Sequence, residues 1–139
     1  MQKIFFHTEE IDFKLTSESK TEIWLTKLIN SESKITGEIN YIFCSDDYLH
    51  KLNLKYLNHN TFTDIISFDY VENGIISGDI FISITRVKQN AYKYNTLFDR
   101  ELKRVMAHGV LHLLGYNDKS DNEKLQMREK ENFALDLFV

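Results

Sequence analysis

Two histidines and an aspartate are the residues of this chain whose types and spacing best suit a metal site. His108 and His112 lie in the segment HGVLHLLGYND, residues 108–118. Residues at i and i+4 share one face of a helix, so both imidazoles can approach one ion. Gly115 is the residue type that ends helices, after which the chain can bring Asp118 back toward the helix end. Three such ligands leave a position open for water, as in catalytic zinc sites.

A second interpretation treats the same residues as structural. The histidines could be hydrogen-bonded core residues, and Asp118 could cap the last helix. Residues 107–114 are apolar except at Gly109 and the two histidines, so buried imidazoles would find few polar partners, which is costly. Ser120 with Glu123 already matches a capping box for the next helix. Both observations favour the metal site.

Hydrolysis is the chemistry expected of such a site. Two imidazoles and one carboxylate suit Zn²⁺, and Mn²⁺ or Ni²⁺ also fit this donor set. The ion lowers the pKa of a bound water toward neutrality, and no side chain is assigned a catalytic role beyond that water.

Zinc peptidases with two histidines on one helix place a glutamate directly after the first histidine, where this chain has Gly109. Peptide hydrolysis by that mechanism is therefore disfavoured. Non-haem iron oxygenases use the same ligand types, but usually from strands.

Composition places the chain among ordinary globular proteins. It has 139 residues, of which 42% are hydrophobic and 27% charged, and a net charge of −4. This charge argues against binding nucleic acid by electrostatics alone, because phosphate contacts rely on lysine and arginine. The single cysteine, Cys44, fits a reducing compartment and is expected to be buried. We expect one domain, residues 1–139, with no membrane span and a cytoplasmic location.

The elements that must position the site are predicted from apolar periodicity. Strands are expected near residues 2–6, 38–44, 64–70 and 78–83, and Phe13 and Leu15 could belong to a further edge strand. Helices are expected at 19–30, from a cap at 45–47 to about 56, at 84–94, at 97–114 and at 121–137. Residues 19–22 match a capping box, and residues 72–74 predict a hairpin turn. The sum is an α+β fold, a single mixed four-stranded sheet with about five helices packed against it.

Three blocks of this sequence resemble the YbeY family, bacterial endoribonucleases of ribosomal RNA maturation. Residues 108–118 with the downstream Met127 resemble the family signature His-Gly-x-Leu-His-Leu-x-Gly-Tyr-Asp-His. A second block comprises Leu52-Asn53, Tyr56 and residues 63–68, and a third is Gly78-Asp79-Ile80. The blocks follow the family's order and span residues 40–130, most of the chain.

The resemblance implies a metal-dependent, single-strand-specific endoribonuclease. Its expected roles are 3′-end maturation of 16S ribosomal RNA and ribosome quality control, with the small ribosomal subunit or its proteins as partners and no DNA or membrane partner. One zinc per chain, with Ni²⁺ or Mn²⁺ as alternatives, would be held by His108, His112 and Asp118. It would polarise a phosphodiester and supply hydroxide, or activate the ribose 2′-hydroxyl. Residues that match the second block are expected to line an RNA groove, or else to serve only as turn and strand structure: Thr63, Asp64 and Ser67.

Two departures from the family pattern bear on activity. Asp118 stands where the family usually has a third histidine, although a carboxylate can also bind zinc. Leu57 stands where the family usually has an arginine for substrate phosphate, and leucine cannot donate hydrogen bonds to phosphate. The cations that could replace this arginine also fit solvated surface positions: Lys51, Lys55, His59 and Arg86.

Two other functions stay open at the level of sequence. The missing arginine is compatible with a non-catalytic ribosome assembly factor, in which the metal only fixes the last helix against the sheet. A general metal hydrolase of small phosphoesters is also compatible with the ligand set.

Overall fold

The fold is α+β, as expected, with a four-stranded mixed sheet and five helices among residues 1–138. This computed structural model describes residues 1–138. The elements in chain order are β1 Ile4–Glu9, α1 Glu18–Ser31, β2 Ile35–Cys44, α2 Asp46–Leu57, β3 Ile65–Asp69, β4 Ile75–Ser83, α3 Ile84–Lys93, α4 Phe98–Leu113 and α5 Asp121–Leu137.

The strands are arranged in the order β1-β2-β4-β3. β1 and β4 both run parallel to β2, whereas β3 pairs antiparallel with β4. The predicted hairpin joins β3 to β4. Its turn residues Asn73 and Gly74 have φ of 51° and 75°, which is the positive-φ pair that a two-residue turn between twisted strands requires.

The main core lies between one face of the sheet and the helices α1, α4 and α5. Alternate residues of β2, Ile39, Tyr41 and Phe43, are at most 1% exposed, as expected for a strand with one buried face. The hydroxyl of Tyr41 donates to the carbonyl of Met106 at 2.7 Å, which fixes α4 across the sheet. The helix that carries both histidines is therefore held by the centre of the core.

Gly109, between the two histidines, is the point where α4 lies closest to the sheet. A Cβ at this position would lie 2.9 Å from Cγ2 of Ile80 and 3.1 Å from Cδ1 of Ile65. A side chain here would face the sheet and not the histidines. The zinc-peptidase glutamate therefore has no place at this position in the fold.

Gly78 of β4 is the point where the sheet lies closest to the end of α4. A Cβ added to Gly78 would lie 2.6 Å from the carbonyl oxygen of Phe68 and 2.9 Å from Cδ2 of Leu113. We expect Gly78→Ala to lower the free energy of unfolding by about 1–3 kcal/mol through overpacking, measured by urea denaturation. Ser77→Ala, whose side chain lies on the opposite face of β4, is the control. Equal stability of the two variants would contradict this packing.

Several local predictions differ from the structure. The capping box at residues 19–22 is wrong, because α1 begins at Glu18 after Ser17, which adopts a left-handed conformation and makes no side-chain cap. Phe13 and Leu15 form no second edge strand; they pack as partly buried side chains against the core. The strands β2 and β4 begin earlier than expected because Ile35 pairs with Ile75 before a bulge.

Other local predictions are confirmed. Ser45 accepts a hydrogen bond from the backbone of Tyr48 at the start of α2. Ser120 and Glu123 form the full capping box of α5. Cys44 is buried and free.

Among the described residues, none of the helices is both long and apolar enough to span a bilayer.

Candidate metal centre

Two elements bring the three predicted ligands together. His108 and His112 lie on successive turns at the end of α4, which stops at Leu113. Gly115 follows with φ of 103°, a left-handed conformation that glycine adopts without steric penalty. The chain reverses there, so that Asp118 meets both imidazoles before α5 begins.

The three ligand atoms converge on one point. The Nε2 atoms of the two histidines are 2.9 Å apart. Oδ2 of Asp118 lies 3.2 Å from Nε2 of His108 and 3.4 Å from Nε2 of His112. Ligands about 2.1 Å from a tetrahedral ion are about 3.4 Å from each other. The cluster has the size that a small divalent ion needs.

Both imidazole rings are held by hydrogen bonds to neighbouring residues. Nδ1 of His108 lies 2.6 Å from Oε2 of Glu131. The ring of His112 is hydrogen-bonded to the backbone of Tyr116; the Tyr116 N–H already donates to Leu111, so its carbonyl is the acceptor. When both rings are neutral and unprotonated at Nε2, two nitrogen lone pairs and a carboxylate oxygen face each other. A cation removes this repulsion, so the donor set fits a metal ion.

A separate cluster anchors the turn that carries Asp118. The hydroxyl of Tyr116 donates to Glu32 at 2.8 Å, and Lys130 donates to the other oxygen of Glu32 at 2.8 Å. These bonds tie the turn to the end of α1 and to α5. The turn that leads to Asp118 is thus held by contacts to α1 and α5.

Burial and neighbouring charges shift the pKa values of groups around the site. Burial, and then the charge that His108 carries when protonated, lower the pKa of His112, which favours the neutral imidazole that binds metals. Burial raises the pKa of Asp64. Burial opposes ionisation of Glu131, but the hydrogen bond from His108 and the charge of Arg104 outweigh it and lower the pKa.

The three ligands lie in the wall of an open cleft of about 740 Å³. Thr63, Asp64 and Ser67, which match the second sequence block, line this cleft, as do Leu57 and His59. The structure therefore brings the three predicted metal ligands and the second block to one surface.

The other predicted cations lie outside the lining of the cleft. Lys51 and Lys55 are exposed on the outer face of α2. Arg86 is paired with Asp46 at 2.8 Å. None of these three residues contributes to the wall beside the metal ligands.

Sequence reasoning missed three charged residues close to the ligands. Arg104 lines the cleft, and Glu101 and Glu131 are buried behind it. Helical periodicity could have identified Glu131, because this residue lies on the same buried face of α5 as Met127 and Ala134. A carboxylate at a core position requires a partner.

The comparisons with known proteins agree over nearly the whole chain. The family model described as Endoribonuclease YbeY matches residues 3–138. The Endoribonuclease YbeY of Flavobacterium johnsoniae is 55% identical over 129 residues, 93% of each chain. That of Cytophaga hutchinsonii is 47% identical over 137 residues, 98% of this chain and 96% of the relative.

A solved structure shares the architecture. The solution structure of TM1509 from Thermotoga maritima superposes with a TM-score of 0.67 at 26% identity, over 97% of this chain and 88% of that protein. The resemblance drawn from the three sequence blocks is confirmed, and the chain belongs to the Endoribonuclease YbeY family.

Proposed function

We propose that this protein is a zinc-dependent endoribonuclease that cleaves single-stranded ribosomal RNA. The observation that carries the proposal is the convergence of His108, His112 and Asp118 in the wall of an open cleft. The endoribonuclease relatives support RNA as the substrate. Zinc is proposed because two imidazoles and one carboxylate, with space for water, are typical of catalytic zinc sites.

The chain's own residues supply metal binding and phosphate binding. His108, His112 and Asp118 would hold the ion, which when bound polarises a phosphodiester and lowers the pKa of a water. Lys119 provides positive charge along the same cleft, which favours the RNA backbone despite the negative net charge. A single strand is the favoured substrate because its phosphates and unpaired bases can enter a cleft together.

Asp64 is proposed to contact the substrate. It lines the cleft beside the metal ligands, and burial raises the pKa of its carboxyl. Thr63 and Ser67 offer hydroxyl groups on the same wall.

The biological role that we propose is 3′-end maturation of 16S ribosomal RNA and ribosome quality control. Small-subunit proteins are the proposed macromolecular partners, and the cytoplasm is the proposed location because ribosomal RNA is processed there.

A cleavage assay with matched RNAs tests this function. Zinc-loaded protein should cleave a single-stranded RNA with the 3′-end sequence of 16S ribosomal RNA, and should leave the same sequence intact in a duplex. Asp118→Ala should abolish cleavage because it removes a metal ligand, whereas Asp136→Ala, an exposed aspartate of α5, should retain it.

Two outcomes would select other functions. Absence of metal-dependent RNA cleavage, with binding to small-subunit proteins retained, would indicate an assembly factor. Cleavage of small phosphoesters but not of RNA would indicate a general metal hydrolase.

A further inference from the structure

Two carboxylates are buried where α4 packs against α5. Glu101 is 3% exposed and Glu131 is 2% exposed. Glu131 lies between Met127 and Ala134 on the buried stripe of α5, a position that usually holds an apolar residue. Burying a carboxylate costs several kcal/mol unless charged or hydrogen-bonding groups compensate it. Two such groups in one interface call for a specific explanation.

Arg104 joins the two carboxylates. Its Nε donates to Oε1 of Glu101 at 3.0 Å, and one terminal nitrogen donates to Oε2 of the same carboxylate. Its other terminal nitrogen donates to Oε1 of Glu131 at 3.2 Å. The bidentate pair with Glu101 fixes the plane of the guanidinium, which in turn fixes one oxygen of Glu131.

The other oxygen of Glu131 faces the metal ligands. Oε2 lies 2.6 Å from Nδ1 of His108. Because an ionised carboxylate can only accept, Nδ1 carries the proton, and in the neutral ring Nε2 is then the nitrogen with the bare lone pair. This is the nitrogen that lies 3.2 Å from Asp118. The hydrogen bond therefore selects the tautomer that can bind a metal ion at the cluster.

The charges of this network also favour a divalent ion. Glu101, Arg104 and Glu131 together carry one uncompensated negative charge, and Asp118 adds a second. Arg128 lies 3.6 Å from Glu131, but its side chain is 59% exposed, so solvent screens its contribution. A divalent cation at the cluster balances the two negative charges.

We propose that Glu131 is a positioning residue of the metal centre, which holds His108 in the tautomer that presents Nε2 to the ion. Arg104 and Glu101 hold Glu131 in this orientation. The inference rests on the metal centre of the proposed function and assigns a role to residues outside the ligand set.

Zinc affinity of a near-isosteric variant tests the role. Glu131→Gln keeps the shape of the side chain but has one acceptor oxygen, so either His108 or Arg104 loses its partner. We expect a 10- to 100-fold weaker affinity for Zn²⁺, the order of effect known for partners of metal-bound histidines. The measurement is competition against a chromophoric chelator. Glu129→Gln, with the same charge change on the exposed face of α5, is the control.

The tautomer of His108 can be measured in the full wild-type chain without any substitution. Imidazole ¹⁵N shifts before zinc addition should show Nδ1 protonated and Nε2 bare. An Nε2–H tautomer, or a Glu131→Gln affinity within about twofold of the Glu129→Gln control, would overturn the positioning role. Failure of the wild type to bind zinc would instead overturn the metal centre, and this inference with it.

Discussion

We expect His112→Ala to abolish stoichiometric zinc binding. The substitution removes one of three ligand atoms that lie within 3.4 Å of one another. The loss of affinity should exceed the roughly 100-fold that changes in outer-shell partners cost, because a ligand itself is removed. Elemental analysis of untagged protein is the measurement, since a histidine tag would bind metal. RNA cleavage should fall in parallel with zinc content.

Two further histidine variants sharpen the result. His7→Ala, on the exposed edge strand β1, should bind as much zinc as the wild type. His108→Ala should lose zinc as His112→Ala does, and should also lose stability, because it removes a hydrogen bond to the buried Glu131. Full zinc in either ligand variant would contradict the site.

We expect Arg104→Met to lower the free energy of unfolding substantially. Arg104→Met leaves two buried carboxylates without their shared cation. Breaking a buried ion pair by removing one partner costs about 3–5 kcal/mol, since the remaining charge stays desolvated. We therefore expect the free energy of unfolding to fall by this amount at neutral pH, measured by urea denaturation.

Matched variants separate the buried network from a general loss of charge. Arg100→Met removes an exposed arginine of the same helix and should change stability by less than about 0.5 kcal/mol. Adding Glu101→Met to Arg104→Met should recover part of the loss, because it removes one uncompensated carboxylate. If Arg104→Met were no more destabilising than Arg100→Met, the buried charges would not be coupled as described.

Short-range signals predicted the parts of the site that depend on local geometry. The spacing of His108 and His112 placed both on one helical face, and Gly115 marked the reversal after α4. The capping box at Ser120 and Glu123 fixed where α5 begins. Together these local rules account for the approach of Asp118 to the histidines.

Long-range contacts could not be predicted in the same way. Glu131 lies 23 residues from His108, and no local pattern relates them. A glutamate within a helix usually indicates a solvated face, and only the packing of α5 against α4 buries this one. Strand order is also determined by packing, so the parallel pairing of β2 with β4 was outside the reach of periodicity.

The side chains predicted to replace the family's phosphate-binding arginine also depended on packing that the sequence does not reveal. Lys51 and Lys55 lie one helical turn apart and share a face of α2, but periodicity does not say which face meets the cleft. The buried residues Leu49 and Asn53 form the inner face, so both lysines point outward. Arg104, which sequence reasoning did not consider, lines the cleft, but its guanidinium is paired with Glu101 and Glu131.

Anomalous diffraction from zinc-loaded crystals tests the central claim most directly. The account predicts one anomalous peak per chain, about 2.0–2.2 Å from Nε2 of His108, Nε2 of His112 and an oxygen of Asp118. A peak elsewhere, or a peak at the histidines with the Asp118 carboxylate turned away into solvent, would contradict it.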